Sequence, residues 1–227
     1  MKRTVITTAD GSKTIQIEDW NEHYHSIHGA LQEAKHVYIK QGLEGFLERH
    51  PNQNHINILE IGFGTGLNAM LTAIDEQASQ KTIVYHGLEA YPVSNDELKA
   101  LDYASLMDSN PQIFDQLHAA PWNEESVISK HFILKKRQEF FSDLKDINTF
   151  DVIYFDAFGP SVQPELWTIS IFKIMYSAMR FDGVLVTYSA KGSVRRAMQD
   201  VGFLVERLPG PPGKREMLRA TKIHRNS

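Results

Sequence analysis

A glycine-rich segment that begins with an acidic residue is the first part of this sequence with the residue types for chemistry. It reads Glu60-Ile61-Gly62-Phe63-Gly64-Thr65-Gly66-Leu67-Asn68. Glycines allow a tight turn and a close approach of a ligand to the backbone, and a helix that starts after the turn offers unpaired N–H groups. A dinucleotide fingerprint needs Gly-x-Gly-x-x-Gly, whereas the third glycine here arrives one residue early. The segment therefore predicts a ligand-binding turn of a different kind.

Glu89 is a second acidic residue at the end of an apolar run. It follows IVYHGL (83–88) directly and lies 23 residues after Gly66. In parallel α/β sheets the carboxyl ends of neighbouring strands share one edge, where ligands bind. Glu89 and the glycine turn together therefore predict a ligand-binding site at this edge. For Glu89 by itself, a solvated acid at a strand end is the alternative.

Asp156 closes a third apolar run, DVIYFD (151–156), and is followed by Ala157-Phe158-Gly159-Pro160. A carboxylate at the end of a buried strand can orient a nucleophile or accept its proton. It can also simply cap the turn that follows. We take Asp156 as the candidate catalytic residue.

These acids need strands that end side by side, and the hydrophobic pattern supplies such strands. Short apolar runs predict strands, and periodic apolar positions between them predict helices. The predicted strands are 56–61, 83–88, 131–136, 151–156, 183–189, 203–208 and 214–221. The predicted helices are 27–48 (loosened or broken at Gly42 and Gly45), 67–80, 94–107, 111–118, 123–129, 164–180 and 192–201, with a short helix or loop at 138–146.

The alternation of strands and helices predicts an α/β fold. We expect a Rossmann-like, mostly parallel central sheet with helices on both faces, and an antiparallel strand pair at the C-terminal end. Residues 51–227 are predicted to form this domain. Residues 1–50, with a small hairpin around Asp10-Gly11, are predicted to be an N-terminal extension that packs on the core. Ligands in such sheets bind beyond the carboxyl ends of the strands, where the three acids are expected.

Length and composition bound the class of protein. The chain has 227 residues, of which 42% are apolar and 23% charged, as is usual for one soluble globular domain. It contains no cysteine, which excludes disulfides, thiolate metal sites and cysteine nucleophiles. No apolar run reaches the roughly 20 residues that span a bilayer, and the N-terminus lacks the apolar centre of a signal peptide. We expect a cytoplasmic protein with no membrane partner.

Charge is distributed unevenly along the chain. The net charge is −4, but residues 191–227 hold nine Lys or Arg against three acids, which makes this end +6 and the remainder −10. A basic end on an acidic body can dock a phosphate backbone on one face. A solvated amphipathic surface is the alternative.

A set of motifs, taken in order, resembles one known family. The motifs are NEHYHSIHGALQEAKHVYIKQGL, EIGFGTGLN, FDAFGPSVQPELW, SAKGSVRRAMQDVGF and GPPGKREML. The E-x-G-x-G-x-G element resembles motif I of the Rossmann-fold methyltransferases. The whole set resembles the methyltransferase domain of the bifunctional tRNA 5-methylaminomethyl-2-thiouridine biosynthesis proteins, over roughly residues 18–220.

The resemblance implies S-adenosylmethionine as the cofactor. In that superfamily the glycine turn holds the methionine and ribose parts, and the acid after the second strand holds the ribose hydroxyls. The residues expected to bind the cofactor are Glu60, Gly62, Phe63, Gly64, Thr65, Gly66, Asn68, Glu89 and Asp156.

The resemblance also implies a reaction, the methylation of the amine of 5-aminomethyl-(2-thio)uridine at the tRNA wobble position. The bifunctional proteins carry a second, FAD-dependent domain that exposes this amine. The present sequence stops about where the methyltransferase domain ends, so we expect a stand-alone form without flavin. Its aminomethyl substrate would then come from a separate enzyme.

The wobble base lies in the single-stranded anticodon loop, where bases can be splayed out and stacked on aromatic rings. The aromatic candidates for this contact are Tyr24, Phe158 and Trp167, and ordinary core packing is the alternative for Trp167. The candidates for contacts with phosphates are basic, namely Arg195, Arg196, Lys214 and Arg215. We expect no metal site, because the nearby His23, His25 and His28 lack a second cluster of ligands.

Three other functions stay open at this point. One is a methyltransferase that acts on a small-molecule amine or a protein. Another is an aminopropyl transferase of the spermidine synthase kind, although its acid-rich polyamine motifs are not evident. The third is a non-catalytic RNA-binding protein with a relic Rossmann fold, against which the intact glycine turn, Glu89 and Asp156 argue.

Overall fold

The computed structural model describes residues 2–20, 22–101, 103 and 111–224. The chain begins with a three-stranded antiparallel sheet in the order β1-β2-β3. Its first two strands form the predicted hairpin, in which Gly11 takes a positive φ of 84°. The strands are β1 (Arg3–Thr7), β2 (Lys13–Ile17) and β3 (Glu22–His23).

A long helical run follows and packs on the central sheet. It consists of α1 (Ala30–Ala34), a π-helical segment (Lys35–Glu44) and α2 (Gly45–Arg49). Of the two predicted effects of Gly42 and Gly45, a break is wrong, because the helical run is continuous, and a loosening agrees with the π-helical segment that ends at Glu44. A Cβ at Gly42 would lie 2.9 Å from the Val186 Cγ2 atom of the sheet. Gly42 therefore allows the helix to approach the sheet closely, and packing outweighs its weak helix propensity.

The central sheet has eight strands in the order β10-β11-β9-β8-β4-β5-β7-β6. The five strands from β9 to β7 in this order are parallel, and the remaining three pair antiparallel. The mostly parallel sheet and the antiparallel C-terminal pair are thus confirmed. The strands are β4 (His55–Ile61), β5 (Thr82–Leu88), β6 (Glu125–Ser129), β7 (Phe132–Arg137), β8 (Phe150–Phe155), β9 (Met179–Thr187), β10 (Leu204–Pro209) and β11 (Glu216–Thr221).

The strand order places a crevice beside β4. The chain leaves β4 for β5 on one side, and the later strand β8 pairs with β4 on the other side. This reversal is the topological switch point at which α/β sheets bind their ligands. Every residue of β8 is buried, so the turn after it is set on a rigid strand.

Helices cover both faces of the sheet, as the sequence predicts. One hydrophobic core includes residues from the helical run, α3 and α5, and the other includes residues from α6 and α7. The N-terminal extension therefore shares its core with the sheet, and a boundary at residue 50 stays a prediction. The helices are α3 (Leu67–Ile74), α4 (Asn95–Leu101), α5 (Pro111–Ala119), α6 (Ile169–Ala178) and α7 (Gly192–Val201).

Two predicted helices are shorter in the structure. A polar side chain directly follows the last residue of the first helix, and another directly precedes the first residue of the second. The helix predicted at 67–80 ends at Ile74, where the Asp75 carboxylate accepts the N–H groups of Gln77 and Ala78 and starts a separate turn. The helix predicted at 164–180 is divided by Thr168, whose hydroxyl caps α6. Such capping satisfies the free N–H groups of a helix start.

The helix predicted at 123–129 is wrong, because this segment is strand β6 at one edge of the sheet. Asn123 takes a positive φ of 66°, and the chain then turns back to pair antiparallel with β7. Of the helix predicted at 94–107, the structure shows α4 up to Leu101. Residues 102 and 104–107 lie outside the described residues. No helix in the described part of the chain has the length and apolar character to cross a membrane.

Candidate active site

A cavity of about 1000 Å³ lies at the edge of the sheet where β4, β5 and β8 end. The three-stranded sheet forms its roof, with Tyr24 and His25 among the lining residues. All three predicted acids, Glu60, Glu89 and Asp156, line this cavity. The sequence-based expectation that they lie close together is therefore met by the fold.

The glycine turn forms the floor of the cavity at the end of β4. Gly62, Gly64 and Gly66 have φ values of 90°, 50° and 73°, which side chains with a Cβ rarely adopt. A Cβ at Gly62 would also lie 2.8 Å from the Asp156 backbone oxygen. Gly62 and Gly64 line the cavity together with Phe63 and Thr65, whereas Gly66 precedes α3 and does not.

Glu89 lies at one end of the cavity and is held by the backbone. Its carboxylate accepts the Gly64 N–H at 3.1 Å and the Tyr91 N–H at 2.9 Å. Burial raises the pKa of Glu89, although these two hydrogen bonds favour the ionised form. Each carboxylate oxygen has a further lone pair for a ligand hydroxyl. Tyr91 and Phe140 continue the wall at this end, with ring centres 6.0 Å apart.

Asn68 links the other two acids. Its amide nitrogen donates to Glu60 Oε1 and to Asp156 Oδ2, at 2.8 Å each. Glu60 also accepts the Tyr85 hydroxyl at 2.8 Å. Burial raises the pKa of Glu60 well above its ordinary value. Glu60 therefore serves to orient Asn68 from inside the core.

Asp156 lines the same cavity as Glu89. Its Oδ1 accepts the Tyr38 hydroxyl at 2.6 Å, and its Oδ2 accepts the Asn68 amide. Burial raises the pKa of Asp156 to about 7, and both hydrogen bonds act in the opposite direction. The carboxylate is thus fixed in orientation and can exchange a proton near neutral pH.

Aromatic rings form part of the cavity wall. Tyr24 and Phe158 lie edge to face with ring centres 5.0 Å apart, and Trp20 contacts Phe158 at 5.8 Å. Trp167 does not line the cavity. It is 6% exposed and donates its indole N–H to the Phe158 carbonyl at 2.8 Å. Trp167 thus supports the loop that carries Phe158.

The four basic candidates occupy different places. Lys214 lines the cavity and forms an ion pair with Glu33. Arg196 and Arg215 are exposed and Arg195 is half-buried, and none of these three lines the cavity. Since β9 ends at Thr187 on the cavity edge of the sheet, the helix α7 with Arg195 and Arg196 starts at the same edge.

Several residues at the site were missed by the sequence analysis. Tyr38 and Glu33 lie inside the predicted helix 27–48 and not at a strand end, so no pattern marked them as site residues. Tyr188, which follows the end of β9, also lines the cavity and donates to the Ala157 carbonyl at 2.9 Å. Tyr91 and Phe140 follow the ends of β5 and β7, so a search of every strand end finds them.

Among the described residues, no three histidine or acidic side chains converge as metal ligands.

Comparison with known proteins decides the family. The model of a family described as S-adenosyl-L-methionine-dependent methyltransferase matches residues 106–223, more than half of the chain. The chain belongs to the S-adenosyl-L-methionine-dependent methyltransferases. Its cofactor is S-adenosyl-L-methionine, and the prediction of an enzyme that uses this cofactor is confirmed.

Curated relatives of this methyltransferase share one name, "tRNA 5-methylaminomethyl-2-thiouridine biosynthesis bifunctional protein MnmC". The protein from Burkholderia multivorans is 28% identical over 210 residues, which cover 86% of this chain and 31% of the relative. The protein from Marinomonas sp. is 31% identical over 206 residues, which cover 86% and 30%. This methyltransferase therefore spans about a third of the length of the curated relatives it matches.

Solved structures agree on the fold. The crystal structure of MNMC2 from Aquifex aeolicus superposes with a TM-score of 0.77 at 24% identity, covering 97% of this chain and 70% of that one. A spermidine synthase in complex with the transition state analogue AdoDATO superposes with a TM-score of 0.55 at 16% identity, covering 97% and 70%. At these identities the likeness concerns the fold alone.

The cavity fits S-adenosyl-L-methionine on the evidence of its own atoms. Asn68 Oδ1 is buried and has no hydrogen-bond partner among the described residues, so an ammonium group such as that of the methionine part would satisfy it. Glu89 offers its free lone pairs to ribose hydroxyls. Tyr91 and Phe140 offer flat apolar faces to the adenine. The binding roles of the individual residues remain predictions.

Proposed function

We propose that this methyltransferase methylates the amine of 5-aminomethyl-(2-thio)uridine at the wobble position of tRNA. The observation that carries the proposal is Asp156, a fixed carboxylate with a pKa of about 7 beside an aromatic wall. An amine acceptor needs a group that removes its proton, and a base acceptor needs rings on which to stack. The lining of the cavity contains both.

The pKa values suit an amine as the nucleophile. An alkyl ammonium has a pKa near about 10 and is no nucleophile until it loses its proton. A carboxylate with an ordinary pKa lies about 6 units below that value. The pKa of Asp156 is about 7. The difference between its pKa and that of the ammonium is therefore about half of the difference for an ordinary carboxylate. Proton transfer to Asp156 is therefore much less uphill than transfer to an exposed aspartate.

Each residue near Asp156 has a definite task in this reaction. Tyr38 and Asn68 hold the carboxylate by one oxygen each, so it can receive the proton of the ammonium without turning. Tyr24 and Phe158 provide faces for an unstacked base. When bound, S-adenosyl-L-methionine supplies an electrophilic methyl group, and the rest of the catalysis is positioning.

The curated relatives support the acceptor by their name, which refers to 5-methylaminomethyl-2-thiouridine in tRNA. The matched part is about a third of each relative. We also propose that a separate enzyme activity supplies the aminomethyl base, because methyl transfer needs an amine that is already present on the uridine. A tRNA substrate in turn supports a location in the cytoplasm.

The test uses purified protein, S-adenosylmethionine labelled in its methyl group, and tRNA from cells that accumulate 5-aminomethyl wobble uridine. Digested nucleosides are separated to locate the label. We expect label in 5-methylaminomethyl-uridine or its 2-thio form. In Asp156→Asn the rate should fall by about 10²–10⁴-fold, the usual contribution of a general base.

The matched control is Asp200→Asn, because Asp200 is exposed on α7. It should keep the wild-type rate. Cofactor affinity of each variant is measured by calorimetry to exclude misfolding. Cofactor binding without any label in tRNA would overturn the proposal and favour a small amine or a protein as acceptor. Failure to bind the cofactor would favour a non-catalytic RNA-binding protein.

A further inference from the structure

An ion pair between a buried glutamate and a half-buried lysine lies in the cavity wall near Asp156. Glu33 of α1 has a side chain that is 9% exposed, and it pairs with Lys214 Nζ. Lys214 comes from the loop between β10 and β11, so the pair joins the N-terminal helix to the C-terminal hairpin. Both residues line the cavity.

The pair is connected to Asp156 from two sides. Lys214 Nζ lies 4.0 Å from the centre of the Tyr188 ring, and the Tyr188 hydroxyl donates to the carbonyl of Ala157, the residue after Asp156. Tyr38 follows Glu33 in the same helical run and donates to the Asp156 carboxylate. The ion pair and the carboxylate thus belong to one packed unit.

The buried charge of Glu33 needs an explanation, because the desolvation of a charge often costs as much as its attraction to a partner returns. Hydrophobic residues of similar size would hold the same two elements together. The position of the pair in the cavity wall, close to the one carboxylate proposed to exchange a proton, points to an electrostatic task.

Several titratable or charged groups face Asp156. The pKa of Asp156 is raised most by burial, lowered by the Tyr38 hydrogen bond, raised by the Glu33 charge and lowered by Asn68 and by the Lys214 charge. Glu33 and Lys214 therefore act on Asp156 with opposite signs. The groups that face it from the packed elements are Glu33 and Tyr38 on the helical run, Glu60 on β4, Tyr188 after β9 and Lys214 on the C-terminal loop.

We propose that the Glu33–Lys214 ion pair is a positioning device that sets the charge state of Asp156. The positive charge of Lys214 offsets the negative charge of Glu33, so that the pair adds no net charge near Asp156. The pKa of Asp156 then depends on its burial and on its two hydrogen bonds. This proposal rests on the proposed function in one respect only, namely that Asp156 accepts the proton of the substrate amine.

The test measures the pKa of Asp156 directly, without tRNA. Protein labelled with ¹³C at the aspartate carboxyl groups is titrated by NMR, and the Asp156 signal is assigned by its loss in Asp156→Asn. Glu33→Gln leaves Lys214 uncompensated and should lower this pKa, whereas Lys214→Met leaves Glu33 uncompensated and should raise it. Each shift should be about 1 unit, the size expected for one charge roughly 10 Å away at an effective dielectric constant of about 20.

The double variant Glu33→Gln/Lys214→Met should bring the pKa of Asp156 back close to the wild-type value. Lys214→Arg should keep the wild-type value, because the charge remains. The control pair is Arg207 and Glu216, an ion pair at the surface of the C-terminal hairpin; Arg207→Met and Glu216→Gln should leave Asp156 unchanged. Any pattern without opposite shifts in Glu33→Gln and Lys214→Met overturns the proposal, since a structural link alone changes stability and not the sign of a titration.

The pH profile of methyl transfer to tRNA then separates the two proposals. The acid limb of kcat/KM should move with the measured pKa in each variant, and cofactor affinity is measured alongside. If the pKa of Asp156 moves as expected but the acid limb does not, the ion pair has the proposed effect and Asp156 is not the proton acceptor.

Discussion

At the scale of single residues, the site depends on a conflict between burial and hydrogen bonding at Asp156. Tyr38 and Asn68 each donate to its carboxylate and favour the charged form. Burial favours the neutral form and is the larger effect, so the pKa rises to about 7. The result is a carboxylate that is held still and yet can take up a proton at neutral pH.

Tyr38→Phe should move the acid limb of kcat/KM to higher pH. The Tyr38 hydroxyl stabilises the ionised form of Asp156, so its removal raises the pKa of this carboxyl further above about 7. The limb of the wild type should lie near pH 7, because kcat/KM reports ionisation in the free enzyme. The measurement is kcat/KM between pH 5.5 and about 9.

The control is Tyr176→Phe, because Tyr176 packs in the core on the other face of the sheet. It should leave the limb where it is. If Tyr38→Phe also leaves the limb in place while lowering the rate, the limb belongs to another group and the role of Asp156 has to be revised.

Glu60→Gln should remove part of the pH dependence of stability. The folded-state pKa of Glu60 is raised well above its ordinary value by burial, so the folded protein holds a proton that the unfolded chain releases. The wild type therefore loses unfolding free energy as pH rises from about 4.5 towards the folded-state pKa. Glutamine cannot ionise, and the variant should lose less stability over this window than the wild type.

Urea unfolding at several pH values between about 5 and 8 measures this difference. Glu48→Gln is the matched control, because Glu48 is exposed on α2. Equal slopes of stability against pH in the wild type and in Glu60→Gln would mean that Glu60 is already ionised in the folded protein.

At the scale of elements, the helical run from α1 to α2 contributes to the site through its irregularity. The segment Lys35–Glu44 is π-helical, and in such helices the hydrogen bonds span five residues. Glu33, in α1 just before this segment, lines the cavity, and Tyr38, five residues later, donates to the Asp156 carboxylate. π-helical turns are often found at functional sites, and here the turn brings two polar side chains towards one carboxylate.

Gly42→Ala should lower the free energy of unfolding by about 1–3 kcal/mol. A Cβ at this position would lie 2.9 Å from Val186 Cγ2 and 3.2 Å from the Tyr154 ring, and overpacking in a core has a cost of this size. Gly45→Ala is the matched control in the same run. Its Cβ would meet the flexible end of Arg219 at 3.3 Å, so the gain in helix propensity should raise stability by about 0.5–1 kcal/mol.

Urea unfolding of both variants provides the measurement. Because Gly42 belongs to the segment that carries Tyr38, Gly42→Ala should also lower kcat/KM more than Gly45→Ala does. Equal stabilities of the two variants would show that the helix can move away from the sheet at little cost.

At the scale of the whole molecule, the cavity, its aromatic lining and the start of the basic C-terminal part lie at one edge of the sheet. The three-stranded sheet closes the cavity from above, and Tyr24 lies over the glycine turn, 3.1 Å from where a Cβ of Gly64 would be. Helix α7 begins at the same edge. A tRNA that inserts its wobble base would thus bring its phosphates near the basic C-terminal part of the chain.

Arg196→Gln and Arg215→Gln should each weaken tRNA binding and reduce its salt dependence. Each phosphate contact that is lost should lower the slope of log K against log salt by about 1. Lys130→Gln is the control, because Lys130 is exposed at the turn before β7, on the edge of the sheet away from the cavity. The measurement is tRNA affinity at four or more salt concentrations, with cofactor affinity measured alongside. Slopes unchanged from wild type would place the tRNA on another surface.

Much of the fold and part of the site could be predicted from local sequence. The glycine turn, Glu89 and Asp156 are each next to an apolar run, and parallel strands necessarily end at one edge of their sheet. Three acids at strand ends therefore had to converge once the sheet formed. The alternation of strands and helices likewise determined the sheet type, because a strand can meet a parallel neighbour only through a crossover connection.

Only the tertiary structure decided which side chains meet across long stretches of chain. Tyr38 lies 118 residues from its partner Asp156, and Glu33 lies 181 residues from Lys214. Pairing with β7 made a strand of the segment predicted as a helix at 123–129, and close packing kept the helix intact at Gly42. Burial and non-local pairing are properties of the assembled molecule, and they set the pKa of Asp156, which no local pattern encodes.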